Sequence, residues 1–258
     1  MKPYRNVAKT IAPDGAVLSL HEHDGEWHLK LNSRELMSTT STTSELLLGD
    51  LACGHLGKHG APRVLIGGLG FGFSLRAVLA KVTAAAEVHV AELLREVVDW
   101  NREFLREVNG TLLDDPRVKV LVDDVFHLIK RAGTAPELRF DAILLDVDNG
   151  PTSFVQAKNA RLYQRRGFGL LQRALKPNGR VAFWSAAEEP QFPRQLMQAG
   201  FTVRSVPAKA HERAKRSAHY IYVAELARPG ELTATDPSNT GKAAEHRARG
   251  AKSPPKRH

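Results

Sequence analysis

The stretch Val64-Leu65-Ile66-Gly67-Gly68-Leu69-Gly70-Phe71-Gly72 constrains the fold of this chain more than any other. A short aliphatic run leads into glycines at 68, 70 and 72, and Phe73-Ser74-Leu75-Arg76-Ala77-Val78-Leu79 follows with helical spacing. A buried parallel strand, a tight turn and a helix N-terminus are written in this way. Glycine has no Cβ and tolerates positive φ, so a ligand can approach the backbone of such a turn closely. Packing alone would also explain the turn, so its meaning depends on what surrounds it.

Three further segments end in acids. Glu87-Val88-His89-Val90-Ala91-Glu92 reads as a second strand and places Glu92 about 20 residues past the glycines, the spacing at which an acid accepts hydrogen bonds from a ribose diol. Val118-Lys119-Val120-Leu121-Val122 leads into Asp123-Asp124, and Phe140-Asp141-Ala142-Ile143-Leu144-Leu145 delivers Asp146. Open parallel sheets bind ligands outside the carboxyl ends of their strands, near the point where strand order reverses. Gly68, Gly70, Gly72, Glu92, Asp124 and Asp146 are therefore expected around one crevice. Glu92 and Asp124 also have a plain alternative, capping the helices that follow them.

The rest of the chain fits an α/β domain with a small accessory unit, a size that 258 residues can support. Ala16 to His23 and Glu26 to Leu31 partly alternate across an Asp24-Gly25 hairpin signal, and Asn32-Ser33 turns into Arg34 to Thr39. Residues 1–42 are thus expected as an N-terminal β-hairpin unit, with β-structure from about residue 14 to 40. A helix is predicted from Thr43 to about His55. From Pro62 strands and helices alternate, which implies right-handed crossovers and a parallel sheet over a 43–227 domain. Helices are predicted over Phe73–Ala84, Leu93–Val108, Val125–Ala132 and Gly167–Leu175. Lys176-Pro177-Asn178-Gly179 reads as a turn before a strand from Arg180 to Ser185. Phe201–Val206 and His219–Leu226 are expected as an antiparallel sheet edge.

The net charge of +9 raises nucleic acid as a partner, but seven Lys/Arg against three Asp/Glu fall in residues 228–258. That stretch has almost no large apolar side chains, so it reads as a disordered basic tail in solvent rather than a nucleic-acid arm. The single cysteine, Cys53, excludes an internal disulfide and reads as a buried small hydrophobe. The histidines form no metal motif, and no metal is expected. No apolar run reaches the roughly 18 residues of a membrane span, and Met1-Lys2-Pro3-Tyr4-Arg5 lacks a signal peptide's apolar core. The expected location is the cytoplasm.

From about Asp14 to Leu226 the order of these motifs resembles the spermidine synthase (polyamine aminopropyltransferase) family, within the class I S-adenosylmethionine-dependent methyltransferase fold. The resemblance rests on the hairpin unit, Arg63 to Gly68 with Leu75-Arg76, Asp115-Pro116-Arg117-Val118 through Asp124-Val125-Phe126, Phe140 to Asp146, and Leu170 to Gly179. It implies that Glu92 holds the ribose hydroxyls, that Asp124 meets the adenine amino group, and that Asp146 serves the reacting amine. The family's Asp-Ser-Ser-Asp aligns with Asp146-Val147-Asp148-Asn149, which brings Asp148 in as a second catalytic acid beside an amide.

The family's loop aspartate, which helps hold the donor's ammonium, is Phe71 here. A charge-assisted hydrogen bond of roughly 1.5–3 kcal/mol is thereby absent. The acid-rich start of the family's substrate helix is matched by Ser44-Glu45-Leu46-Leu47-Leu48-Gly49-Asp50, without the family's tyrosine and histidine.

The function these observations suggest is transfer of an aminopropyl group from decarboxylated S-adenosylmethionine to a polyamine. The alternatives are an S-adenosylmethionine-dependent methyltransferase of unknown acceptor and a degenerate, non-catalytic paralogue. The donor, S-adenosylmethionine or its decarboxylated form, is a co-substrate rather than a resident cofactor. Expected partners are a small-molecule amine and, as an option, a second copy of the chain.

Overall fold

The computed structural model describes residues 4–147 and 157–227. Asp148, Asn149 and the basic tail expected over 228–258 lie outside the described residues. The first element is a four-stranded antiparallel meander of β1 (Arg5–Ile11), β2 (Val17–His23), β3 (Glu26–Leu31) and β4 (Arg34–Ser38). Two of its turns use consecutive residues in left-handed conformation, Asp24-Gly25 (φ 51° and 85°) and Asn32-Ser33 (φ 47° and 69°). Such turns match the twist of the flanking strands, and the sequence signals for both hold. β1 is an addition: it lies at the sheet edge, leaves Ile11 70% exposed and carries a bulge between Asn6 and Ala8. Its apolar pattern is accordingly weak.

α1 (Thr43–Cys53) leads into the main sheet, built from β5 (Arg63–Gly67), β6 (Glu87–Glu92), β7 (Val118–Val122), β8 (Phe140–Leu145), β9 (Leu175–Ser185), β10 (Phe201–Ala208) and β11 (His219–Leu226). The strand order is β10-β11-β9-β8-β5-β6-β7. β5 to β9 pair in parallel, whereas β11 pairs antiparallel with β9 and β10. This is the mixed sheet expected of the class I methyltransferase arrangement. β11 is inserted inside the edge formed by β10.

The crossovers carry α2 (Phe73–Lys81), α3 (Arg95–Glu103), α4 (Arg106–Asn109), α5 (Val125–Ala132), α6 (Arg165–Ala174) and α7 (Phe192–Gln198). The single helix expected over 93–108 divides into α3 and α4, with Phe104 and Leu105 between them turned toward the core. The turn expected at Lys176–Gly179 is absorbed into β9 as an irregularity, with Asn178 at φ 64°. No described helix is long and apolar enough to cross a membrane.

Central strands are buried on both faces, as their continuous apolar runs require: Val64, Leu65, Val88, Val90 and Ala142 to Leu145 are inaccessible to solvent. Register then aligns the strand ends. Gly67 is level with Ala91 on one side and Leu145 on the other, and Glu92 is level with Val122. Gly68, Glu92, Asp123 and Asp146 therefore follow in one row at the carboxyl edge, beside the β5–β8 reversal of strand order.

Phe71 turns away from that row. It is 2% exposed and meets Phe73 edge-on, with ring centroids 6.3 Å apart, inside the larger apolar cluster. Phe71→Ala is expected to cost about 3–5 kcal/mol through the cavity it leaves, read as a lower urea midpoint at unchanged slope.

Candidate active site

The glycine turn is shaped by what its glycines exclude. Gly68, Gly70 and Gly72 all have positive φ (87°, 51° and 82°). A Cβ on Gly68 would stand 2.2 Å from the Asp146 carbonyl oxygen, and one on Gly70 would stand 2.6 Å from Met37 Cε. Gly72 has no such crowding. It is the N-cap of α2 and does not border the cavity described next.

A cavity of about 180 Å³ opens over the strand ends. Gly68, Gly70, Glu92, Asp124 and Asp146 line it, so the structure brings together five of the six predicted residues that it describes, all but Gly72. Leu18, Leu29, Leu31, Leu36 and Met37 of the meander form an apolar wall, and Trp184 of β9 adds an aromatic one. Trp184 Nε1 is buried without a hydrogen-bond partner among the described residues, and the indole lies 4.9 Å from the His219 ring. Asp14, Glu45 and Asp123 are further acids on the lining, which includes no Lys, Arg or His among the described residues. The lining is thus acidic in a chain of net charge +9.

The acids differ in how they are engaged. Glu92, 8% exposed, accepts hydrogen bonds from the Leu69 and Leu94 amides, both at 2.9 Å, and so ties the glycine turn to the end of β6. Burial pushes its carboxyl above the usual range. Asp124 caps α5 by accepting from the Phe126 amide at 2.9 Å. Its other oxygen pairs with Arg161, whose guanidinium lies 4.0 Å from the Phe126 ring centroid. Asp123 is paired with His127 at 2.9 Å and Arg131 at 3.5 Å. The capping role anticipated for Asp124 is thus realised on the cavity wall.

Asp146 accepts from Ser74 Oγ at 2.8 Å, and its amide donates to the Gly67 carbonyl at 3.0 Å. Burial raises its carboxyl to about 6, against the opposing pull of the Ser74 hydroxyl. Glu45 enters from α1, a helix outside the nucleoside motifs, and sequence reasoning left it out of the site. It is 6% exposed and accepts from Ser44 Oγ at 2.6 Å. Burial, and then the charge of Asp146, raise its carboxyl to about 7. Its signals in the sequence were an acid opening the apolar run Leu46-Leu47-Leu48 and the likeness of Ser44 to Asp50 to the start of the family's substrate helix.

Burial of this kind sets a pH dependence. Between its free value of 4.5 and about 7, Glu45 releases its proton more readily in the unfolded chain than in the folded one. Ionisation therefore erodes stability as pH rises through that window. Glu45→Gln is expected to stabilise the protein at pH 8 by on the order of 1–3 kcal/mol, with no gain at pH 4.5. Urea midpoints at the two pH values measure the difference.

The spermine/spermidine synthase domain matches residues 51–207. Polyamine aminopropyltransferase 1 of Hyperthermus butylicus is 34% identical over 161 residues, covering 62% of this chain and 53% of the relative. The polyamine aminopropyltransferase of Mycobacterium tuberculosis is 36% identical over 122 residues, 47% of this chain and 22% of its own. The chain thus spans about half the length of the first of these curated relatives and less of the second. In fold it is similar to spermidine synthase from Thermotoga maritima, with a TM-score of 0.62 at 18% identity, over 86% of this chain and 72% of that one. A spermidine synthase solved in complex with the transition-state analogue AdoDATO matches over the same shares, with a TM-score of 0.60 at 18% identity.

Proposed function

Because the chain belongs to the spermine/spermidine synthase family, we propose that it transfers an aminopropyl group from decarboxylated S-adenosylmethionine to a polyamine. The observation that carries this reading is the cavity lined by acids and free of basic side chains among the described residues, set against the glycine turn at the reversal of strand order. Donor and acceptor are both cations, and a concave acidic site concentrates them.

In this reading the adenosine lies along Gly68 and Gly70 toward Glu92 and Asp124. Glu92 meets the ribose while its hydrogen bonds to the Leu69 and Leu94 amides hold it in place. Asp146 stands at the reacting amine, fixed by Ser74. Asp148 joins it as a second catalytic acid by virtue of the family alignment. The amine nitrogen bonds to the carbon beside the sulfonium, the carbon–sulfur bond breaks with its electrons going to sulfur, and methylthioadenosine leaves. Alignment supplies much of the rate, and a carboxylate takes the proton that the incoming ammonium must lose. The reading assigns the reaction to the cytoplasm, a reducing compartment that suits the buried thiol of Cys53. It leaves a homodimer as an option.

Calorimetric titration with decarboxylated S-adenosylmethionine, S-adenosylmethionine and methylthioadenosine, followed by a turnover assay with putrescine, tests the proposal. The decarboxylated donor is expected to bind more tightly, with putrescine-dependent release of methylthioadenosine. Asp146→Asn should lower kcat by about 10²–10⁴. Preference for the carboxylated donor, or unchanged turnover in Asp146→Asn, would overturn it.

A further inference from the structure

We propose that Glu45 is a second proton-handling group of this site, working as a pair with Asp146 to take the proton from the acceptor's ammonium. The inference rests on the function proposed above; Glu45 precedes the residues 51–207 that match the family, in the segment whose sequence resembles the start of the family's substrate helix, and the pairing with Asp146 is what the structure adds.

The geometry begins with a close helix crossing. Gly49 stands four residues after Glu45 and faces α2, where a Cβ on it would lie 2.4 Å from Ala77 Cβ and 3.2 Å from the Ser74 carbonyl oxygen. The missing methyl lets α1 settle onto α2 at the turn that also carries Ser74, the hydroxyl bound to Asp146. Residues four apart share a helix face, so the contact that seats Gly49 also directs Glu45 toward Asp146. Both carboxyls line the cavity, and Ser44 Oγ engages only Oε2 of Glu45.

The other charges near α1 are placed elsewhere. On the cavity side, Glu92 is engaged by two amides, and Asp123 and Asp124 by cations. Asp14 accepts from the Ala16 amide. On the far side Asp50 pairs with Lys81, and Arg180 with Glu225 and the Leu51 carbonyl. His211, Glu212 and Arg213 border a separate groove beyond Leu46 and Leu47. Asp146 is the charge that bears on Glu45.

Two buried carboxyls facing one cavity resist ionising together. The pair therefore stands ready with one charge to seat an ammonium and one oxygen to accept its proton. The neutral amine then attacks the carbon beside the sulfonium, the carbon–sulfur bond breaks with its electrons going to sulfur, and the product nitrogen keeps its two remaining protons as a secondary ammonium.

Carboxyl-carbon NMR titration of the full chain, labelled at Asp and Glu, tests the pairing without any substrate. The expected result is that Glu45 and Asp146 titrate well above free carboxyls, and that each midpoint falls when the other is amidated, in Asp146→Asn and Glu45→Gln. Gly49→Ala, which keeps both acids but pushes α1 off α2, should lower both midpoints. In putrescine-dependent turnover, Glu45→Gln should lower kcat about tenfold or more, leave methylthioadenosine affinity unchanged and shift the acidic limb of the pH profile to lower pH. Glu45→Asp should recover part of the rate. Titration of Glu45 unaffected by Asp146→Asn would overturn the pairing. An unmoved acidic limb in Glu45→Gln would overturn its part in proton transfer. If the wild type binds the donor but releases no methylthioadenosine with putrescine, the proton-transfer role falls with the proposed function, while the titration still decides the pairing.

Discussion

The absence of a side chain at Gly68 is the constraint on which the rest of the site depends. β5 and β8 run side by side with their ends level, and the chain leaving β5 must turn directly over the carbonyl of Asp146. Any Cβ there would collide with backbone, which has no room to yield. The Asp146 amide bonds to Gly67 and the Gly68 amide to Ala91, so the turn is stitched to both neighbouring strands. Glu92 completes the attachment through Leu69. Strand register, glycine conformation and one buried carboxylate thus form a single unit, and the acids stand where that unit puts them.

Electrostatics gives the site its second character. The chain is strongly basic, yet the cavity wall carries acids without a basic residue among the described lining. Some of these acids are neutralised from behind by Arg161 and Arg131, whereas Asp146 and Glu45 rely on hydroxyls. Hydroxyls offset desolvation less completely than cations do, which is why these two retain their protons to higher pH. Keeping them inside costs stability above neutrality.

Much of this could be read from sequence because it is local. Aliphatic runs ending in Gly67, Glu92, Asp123 and Leu145 specify strands and their ends, and parallel pairing in sequence order makes those ends converge. Asp24-Gly25 and Asn32-Ser33 are turn chemistry of the same short range. What escaped is non-local. For Phe71 the sequence leaves a cofactor wall and a hydrophobic plug equally open, and its packing with Phe73 decides for the plug; the break between α3 and α4 goes with burial of Leu105, and the place of Lys176–Gly179 with the reach of β9 beside β8. Glu45 escaped because its importance comes from a contact between Gly49 and Ala77, residues far apart in sequence that no periodicity connects. The apolar wall was hidden for a similar reason, since the meander's leucines read as the core of their own small sheet.

The inward set of Phe71 also bears on how this site can accommodate different molecules. A turn anchored by a buried ring shares the fate of the core, so its amides should exchange with solvent only in openings as rare as those that expose β5. The floor of the cavity is then a fixed template. Adaptation to ligands of different length would then fall to the opposite wall, where Leu31, Leu36 and Met37 on the meander are only partly buried. Divergence in what such a protein accepts would be written in those first forty residues, while the glycine turn stays as it is.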